Sequence, residues 1–250
     1  MQKLRSLTFA VVFYAWSVFV SLVILTPLLI APRSWTAAVF GLWSRGIRFL
    51  LKVIAGIEVE VRGREFMPTT AALVAPKHQS MFDVFSQFSL LPDACFVTKK
   101  ELLMIPFFGW FAMKATMISV DRGGHSTALR KLVRDAKDRF RIPRQLVIFP
   151  EGTRGDPGAP GDYKPGIAAL YRELELPVYP MATNAGVHWS RKGFNLTPGV
   201  IVFEYLEPIP PGLKRGEFMR TLEERIEAAT GKLLSADSAY RPPQAPAVAP

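Results

Sequence analysis

Cysteine is almost missing from this 250-residue chain. Cys95 stands alone, so no intrachain disulfide is possible and the chain suits a reducing compartment. Set among Ala94, Phe96 and Val97, it reads as a small core residue. Histidine is nearly as scarce. The three, His78, His125 and His188, form no pair at ligand spacing, so no structural or catalytic metal site is expected. Acidic residues are also short: 21 Asp and Glu face 31 Lys and Arg, a formal charge of +10. That excess favours anionic partners, meaning phosphates, nucleic acid or an anionic membrane face. Nucleic acid is not expected, because neither a zinc-ligand cluster nor an RNP-like aromatic motif is present. The membrane remains: 49% of residues are hydrophobic and mean hydropathy is +0.17, unusual values for a strongly basic soluble protein. Internal repeats are absent, and the length suits one domain of catalytic size with a full core.

Charge is absent from residues 6–32, a run longer than the about 20 apolar residues that cross a bilayer. It is too long for the apolar part of a secretory signal, and no small-residue cleavage site follows. Pro27 and Pro32 would bend or end its helix. Residues 34–56 differ. Trp35, Phe40, Trp43 and Phe49 make the segment apolar, yet Arg45, Arg48 and Lys52 recur at i, i+3 and i+7. One cationic stripe on a greasy helix describes a helix lying at the headgroup level. Two anchors fit. One is a single span with the catalytic domain on the cytoplasmic face, supported by more positive charge after the span (Arg33, Arg45, Arg48, Lys52) than before it (Lys3, Arg5). The other, preferred because the stripe needs water or phosphate beside it, is a two-helix anchor embedded from one side. An ordinary core helix competes for 34–56. The expected organisation is an anchor over 1–56, a catalytic domain over 57–235 and a disordered Pro/Ala-rich tail over 236–250.

From residue 57 short apolar runs alternate with helical stretches. Strands are expected at 57–62, 71–75, 94–98, 116–120, 145–149, 177–182 and 200–206, and helices at 80–90, 126–140, 166–174 and 216–234. This pattern predicts an α/β fold, a mostly parallel central sheet flanked by helices and preceded by the hydrophobic anchor. The Gly/Pro-rich stretch 156–165 reads as a turn or lid.

The most informative residues are His78-Gln79-Ser80-Met81-Phe82-Asp83. Within one helix His78 and Asp83 would stand about 140° apart around the axis. They meet only if His78 lies in a strand-to-helix turn and Asp83 in the first helical turn, the context that the flanking runs supply. That turn is the carboxyl end of a strand, where open α/β sheets bind ligands. A carboxylate on one ring nitrogen would fix the tautomer and leave the other as a general base. Phe149-Pro150-Glu151-Gly152-Thr153-Arg154 follows a second strand with an acid, a flexible Gly, a hydroxyl and a guanidinium suited to phosphate. Ile118-Ser119-Val120-Asp121-Arg122, Lys99-Lys100 and Leu176-Pro177-Val178-Tyr179-Pro180 also lie at or beside strand ends.

Together these motifs resemble the blocks of the membrane-bound glycerolipid acyltransferases, most closely the 1-acylglycerol-3-phosphate acyltransferases. His78 to Asp83 is similar to their H-x4-D block, Val120 to Arg122 to their second, Phe149 to Arg154 to F-P-E-G-T-R, and Leu176 to Pro180 to their fourth. The resemblance runs from about residue 57 to about residue 206, and the two main blocks at this spacing are specific. It implies acyl transfer from a thioester of acyl carrier protein or coenzyme A to the sn-2 hydroxyl of lysophosphatidate, giving phosphatidate, with no other cofactor. His78 would take the hydroxyl proton and Asp83 would hold the ring; amides at the start of the following helix would stabilise the oxyanion. By the same resemblance Arg154, Arg122 and Lys99, with Lys100 the alternative to Lys99, would clamp the acceptor phosphate, Glu151 and Gly152 would shape the glycerol site, and Thr153 completes the substrate-binding set. There are departures. Lys77 stands where many members have Asn, a cation able to lower the basicity of His78; Ser119-Val120 replaces a larger apolar pair; Gly155 follows Arg154 where Ser is common. The partners so implied are a phospholipid bilayer, lysophosphatidate and an acidic carrier protein or coenzyme A thioester.

Three rivals carry weight. The same chemistry on glycerol-3-phosphate or a lyso-aminolipid is one. A thioesterase or lipase is another: Gly124-His125-Ser126-Thr127-Ala128 resembles a nucleophile elbow, with Asp162 and His188 following in triad order. Ser126 as a simple helix cap is the plainer account. A membrane-binding module without catalysis is the third, and it leaves His78 and Asp83 without a purpose.

Overall fold

The seven short apolar runs are strands in the computed structural model, which describes residues 1–104, 108–120 and 125–242. They are β1 (Ile57–Arg62), β2 (Ala72–Pro76), β3 (Ala94–Lys99), β4 (Ile118–Val120), β5 (Gln145–Val147), β6 (Val178–Thr183) and β7 (Gly199–Tyr205). The helices are α1 (Gln2–Phe19), α2 (Arg33–Leu50), α3 (Phe82–Leu90), α4 (Phe108–Lys114), α5 (His125–Arg139), α6 (Gly166–Leu174), α7 (Ala185–His188) and α8 (Arg215–Ala236). Among the described residues the strands form one sheet in the order β1-β7-β6-β2-β5-β3-β4. All neighbours are parallel except β6 and β7. The expected mostly parallel α/β fold is the fold found. The antiparallel pair follows from its link, which holds only the one-turn α7 and no helix able to cross a sheet face.

Strand alternation builds two cores. Val74, Phe96, Val147 and Met181 face one side, where they meet Phe9 and Phe13 of α1, Ile47 of α2 and Phe82 of α3. Leu73, Ala75, Cys95, Leu146 and Val178 face the other, against Leu132 and Ala136 of α5, Leu170 and Tyr171 of α6, and Phe218, Leu222 and Ile226 of α8. β2 is buried at every position, as an unbroken apolar run must be when helices cover both faces. Cys95 is the core residue expected, and burial pushes its thiol pKa up. Element ends moved for local reasons. β4 begins at Ile118, not residue 116, because Thr116 takes a left-handed φ of 56° as α4 ends. α3 begins at Phe82, not residue 80, because the Ser80 hydroxyl accepts the Phe82 amide at 3.2 Å in a turn. Helices α4 and α7 were not expected.

The two N-terminal helices lie on the domain. α1 continues through a π-helical segment, Val20–Leu25, and Gln2–Leu25 is long and apolar enough to cross a membrane, with 17% of its most apolar window buried. The Trp16 indole donates to the Trp43 carbonyl (3.1 Å) and the Trp43 indole to the Ser17 hydroxyl (3.0 Å). Gly46 permits this contact; a Cβ there would sit 2.5 Å from the Trp16 ring. Ser44 bonds Ser89 of α3 at 2.8 Å, and Phe9 stands edge-on to Trp189 at 5.3 Å. Arg33 grips Asp93 with two bonds of 2.8 and 2.7 Å, and Asp93 also meets the buried Arg144 at 3.1 Å. The other faces stay apolar and exposed: Leu4, Leu7, Val11, Tyr14 and Val18 on α1, and Trp35, Leu42 and Phe49 on α2. The core-helix reading of 34–56 thus holds for one face of the helix, and the other face, which the interfacial reading would use, is exposed.

Candidate active site

His78 lies in the turn between β2 and α3, and Asp83 is the second residue of α3. One carboxylate oxygen of Asp83, Oδ2, accepts three bonds: from the Gln79 amide (2.6 Å), the Ser80 amide (2.7 Å) and His78 Nδ1 (3.2 Å). Asp83 is completely buried, and its Oδ1 has no partner among the described residues. Two amides and the start of a helix hold the charge in this dry place. Because a carboxylate only accepts, Nδ1 carries the proton and Nε2 presents its lone pair. Nε2 has no partner among the described residues. The imidazole stacks on Phe149, with centroids 4.0 Å apart and planes inclined by 24°. The Ser80 amide, at the helix start expected to face an oxyanion, is turned onto Asp83 instead, as is the Gln79 amide.

The segment after β5 closes on this turn from the other side. The His78 amide donates to Glu151 Oε1 (3.0 Å) and the Gly155 amide to the His78 carbonyl (2.9 Å). Gly152 makes the bend, with φ of 68° in the left-handed region. Glu151 is buried rather than open to a ligand. Its second oxygen lies 3.4 Å from the Lys77 ammonium, which also meets Glu227 of α8 at 2.7 Å. Burial pushes the Glu151 carboxyl pKa up; the His78 amide and Lys77 oppose this. Lys77 therefore does not crowd the His78 ring. It is buried on the α8 side and neutralised there.

The pattern of these blocks has relatives. Residues 58–184 match the profile of the family described as Acyltransferase. The chain belongs to that family. It is 37% identical over 159 residues to a 1-acyl-sn-glycerol-3-phosphate acyltransferase of Pseudomonas aeruginosa, covering 64% of this chain and 62% of the relative. A protein of the same name from Cocos nucifera is 30% identical, covering 64% of this chain and 52% of the relative. The chain thus spans between about half and about two thirds of the length of these relatives. The crystal structure of the 1-acyl-sn-glycerophosphate acyltransferase PlsC of Thermotoga maritima superposes with a TM-score of 0.78 at 21% identity, covering 95% of this chain and all of that one; it shares the fold.

In this acyltransferase two of the expected cations, Lys99 and Arg154, stand at or after the ends of strands that finish at the same edge of the sheet. Lys99 ends β3, beside Val120 of β4, and is exposed, as is Lys100. Arg154 is half-buried, and its guanidinium has no partner among the described residues; Thr153 is exposed. Arg122 lies outside the described residues. Arg191 was not anticipated: it pairs with Asp156 at 3.2 Å and donates to the Arg154 carbonyl at 3.4 Å, fastening the loop that carries Arg154. Phe149 was read as part of a motif but not as the ring's stacking partner. The rival hydrolase triad is not assembled. His188 is buried, with Nε2 on Asp237 (2.9 Å) and Nδ1 on the Thr197 carbonyl (3.0 Å), while Asp162 is exposed and paired with Lys164. The side chain of Ser126 lies outside the described residues. Asp237, placed in the tail by sequence, is the buried partner of His188 and Asn184; residues 243–250 lie outside the described residues.

Proposed function

We propose that this acyltransferase moves a fatty acyl group from a thioester of acyl carrier protein or coenzyme A to the sn-2 hydroxyl of lysophosphatidate, making phosphatidate for phospholipid synthesis. The observation that carries the reading is the His78 ring, oriented through Nδ1 by a buried carboxylate, with no partner for Nε2 among the described residues. The names of the relatives supply the acceptor. Nε2 takes the hydroxyl proton as the oxygen attacks the thioester carbon. The tetrahedral intermediate expels the thiolate, and the imidazolium returns the proton to it, so an ester and a thiol leave. Asp83 stabilises the imidazolium and is not itself protonated. Arg154, with Lys99 and Arg122, meets the acceptor phosphate; Gly152 and Thr153 border it, and Glu151 acts from beneath by holding the His78 amide. The reaction so written needs no metal or further cofactor.

Residues 1–56 serve as a two-helix anchor, with the exposed apolar faces of α1 and α2 in one leaflet and the catalytic domain, 57–235, on the cytoplasmic face. The basic surface suits both an anionic leaflet and an acidic carrier protein.

The test is a transfer assay on detergent-solubilised full-length wild type and His78→Ala. Labelled acyl thioester is offered with lysophosphatidate, glycerol-3-phosphate or a lyso-aminolipid. Wild type should make phosphatidate from lysophosphatidate alone, and His78→Ala should lose at least about 10²–10⁴-fold. Lipid product from His78→Ala at the wild-type rate refutes the base, and product from another acceptor reassigns the substrate.

A further inference from the structure

Lys77 directly follows β2, between the strand and His78, and it is one of the largest fully buried side chains. A buried ammonium needs paired charge. It has two carboxylates within reach: Glu227 Oε1 at 2.7 Å and Glu151 Oε2 at 3.4 Å. The Tyr163 hydroxyl donates to that same Glu227 oxygen at 2.8 Å. Four segments therefore meet in one polar cluster: the end of β2, the turn after β5, the stretch 156–165 and α8. Glu227 stands outside the residues that match the family profile, which end at 184.

The geometry points to Lys77 and Glu227 as a pair of positioning residues for acyl transfer: together they hold Glu151 on the His78 amide. This inference rests on His78 as the base. Glu151 Oε1 accepts the His78 amide at 3.0 Å, so the charge state of Glu151 decides how firmly the base is seated. Burial pushes its pKa up, and Glu227 adds a like charge; Lys77 opposes both. The other charged group facing the cluster is Glu223, which bears on Tyr163; the titratable His78 ring lies across the turn. Without Lys77 the buried Glu151 faces the partly exposed Glu227 with no cation between them, and Glu151, the more deeply buried of the two, takes a proton. A protonated Glu151 gives the His78 amide a weaker acceptor, and the imidazole loses its position.

The experiment measures kcat/KM against pH for the detergent-solubilised full chain, with acyl-coenzyme A and lysophosphatidate. The variants are Lys77→Gln, Lys77→Arg and Lys77→Gln/Glu227→Gln, each with its thermal unfolding. Wild-type transfer checks the underlying reading separately: its absence refutes the activity, not the cluster. Given that activity, Lys77→Gln should move the acid limb of the profile up by about 1–3 pH units, with rate recovering at higher pH. Lys77→Arg should leave the limb in place. Adding Glu227→Gln to Lys77→Gln should bring the limb back down and raise the melting temperature. If Lys77→Gln alone fails to fold, a folded double variant supports the pairing, and a double variant that folds no better overturns it. An acid limb that stays at the wild-type position in Lys77→Gln, or a double variant that loses rate additively, also overturns it.

Discussion

Asp83→Asn separates the charge of Asp83 from its shape. A single oxygen, Oδ2, accepts from the Gln79 amide, the Ser80 amide and the His78 ring, while Oδ1 has no partner among the described residues. An asparagine can place its oxygen where Oδ2 stands and its nitrogen where Oδ1 stands, so the turn and the tautomer of His78 survive. What disappears is the negative charge. Bonds to a charged group contribute about 1.5–3 kcal/mol and neutral ones about 0.5–1.5, so each of the three weakens by about 1 kcal/mol. Desolvation of a neutral amide costs less than that of a carboxylate and returns part of this. The net loss is about 1–3 kcal/mol, a fall in melting temperature of about 2–10 °C for a chain of this size.

The effect on rate is larger, because the charge matters most once the imidazolium forms. At the 3.2 Å separation of His78 Nδ1 and Asp83 Oδ2, opposite unit charges attract by about 5 kcal/mol at an effective dielectric constant of about 20. Residual bonding to the amide oxygen recovers some of it. We expect kcat to drop about 10²–10⁴-fold with the KM for lysophosphatidate nearly unchanged, since the lost interaction exists only in the transition state. The assay is initial-rate kinetics below the variant's melting point, with circular dichroism to show that the fold persists. A folded Asp83→Asn enzyme within about tenfold of wild-type kcat would refute the idea that Asp83 supplies charge to the imidazolium, and would leave it as a cap for the turn.

Two further outcomes follow from the same geometry. Arg154→Ala removes a guanidinium that has no protein partner among the described residues, so the fold should be unaffected and the KM for lysophosphatidate should rise about 10–100-fold, more than kcat falls, as expected for a lost charge-assisted contact of about 1.5–3 kcal/mol; an unchanged KM removes Arg154 from the phosphate site. Val11→Asp combined with Phe49→Asp places charge on the exposed apolar faces of α1 and α2 and should release the chain from anionic vesicles in a flotation assay; continued co-flotation refutes those faces as the membrane contact.

The parts of the site that the sequence disclosed are the local ones. His78 and Asp83 are five residues apart, and an apolar run with a helical run after it is enough to place the turn between them. Phe149 to Arg154 is similarly local, so its bend at Gly152 and its place at a strand end were both legible. Sheet order was not, because nothing in a strand names its neighbour. The partner of His188 was hidden for the same reason: Asp237 is 49 residues away, while Asp162, nearer in sequence, faces solvent.

Lys77 shows how far a single residue of alternation reaches. Read beside His78, it is a cation that would weaken the base. Successive side chains along a strand point to opposite faces: Leu73 and Ala75 go to the α5–α6–α8 side while Val74 faces α1–α3, and Lys77, the residue just after β2, keeps the same alternation and meets α8. The ammonium therefore meets Glu151 and Glu227, not the imidazole. The period of the strand was enough to predict the side but not the partner, since Glu227 is 150 residues away on the margin of a helix whose stripe Phe218, Leu222 and Ile226 is explained by burial alone. A charge that looks harmful to the base in one dimension thus becomes, through an acid it neutralises, part of what seats that base.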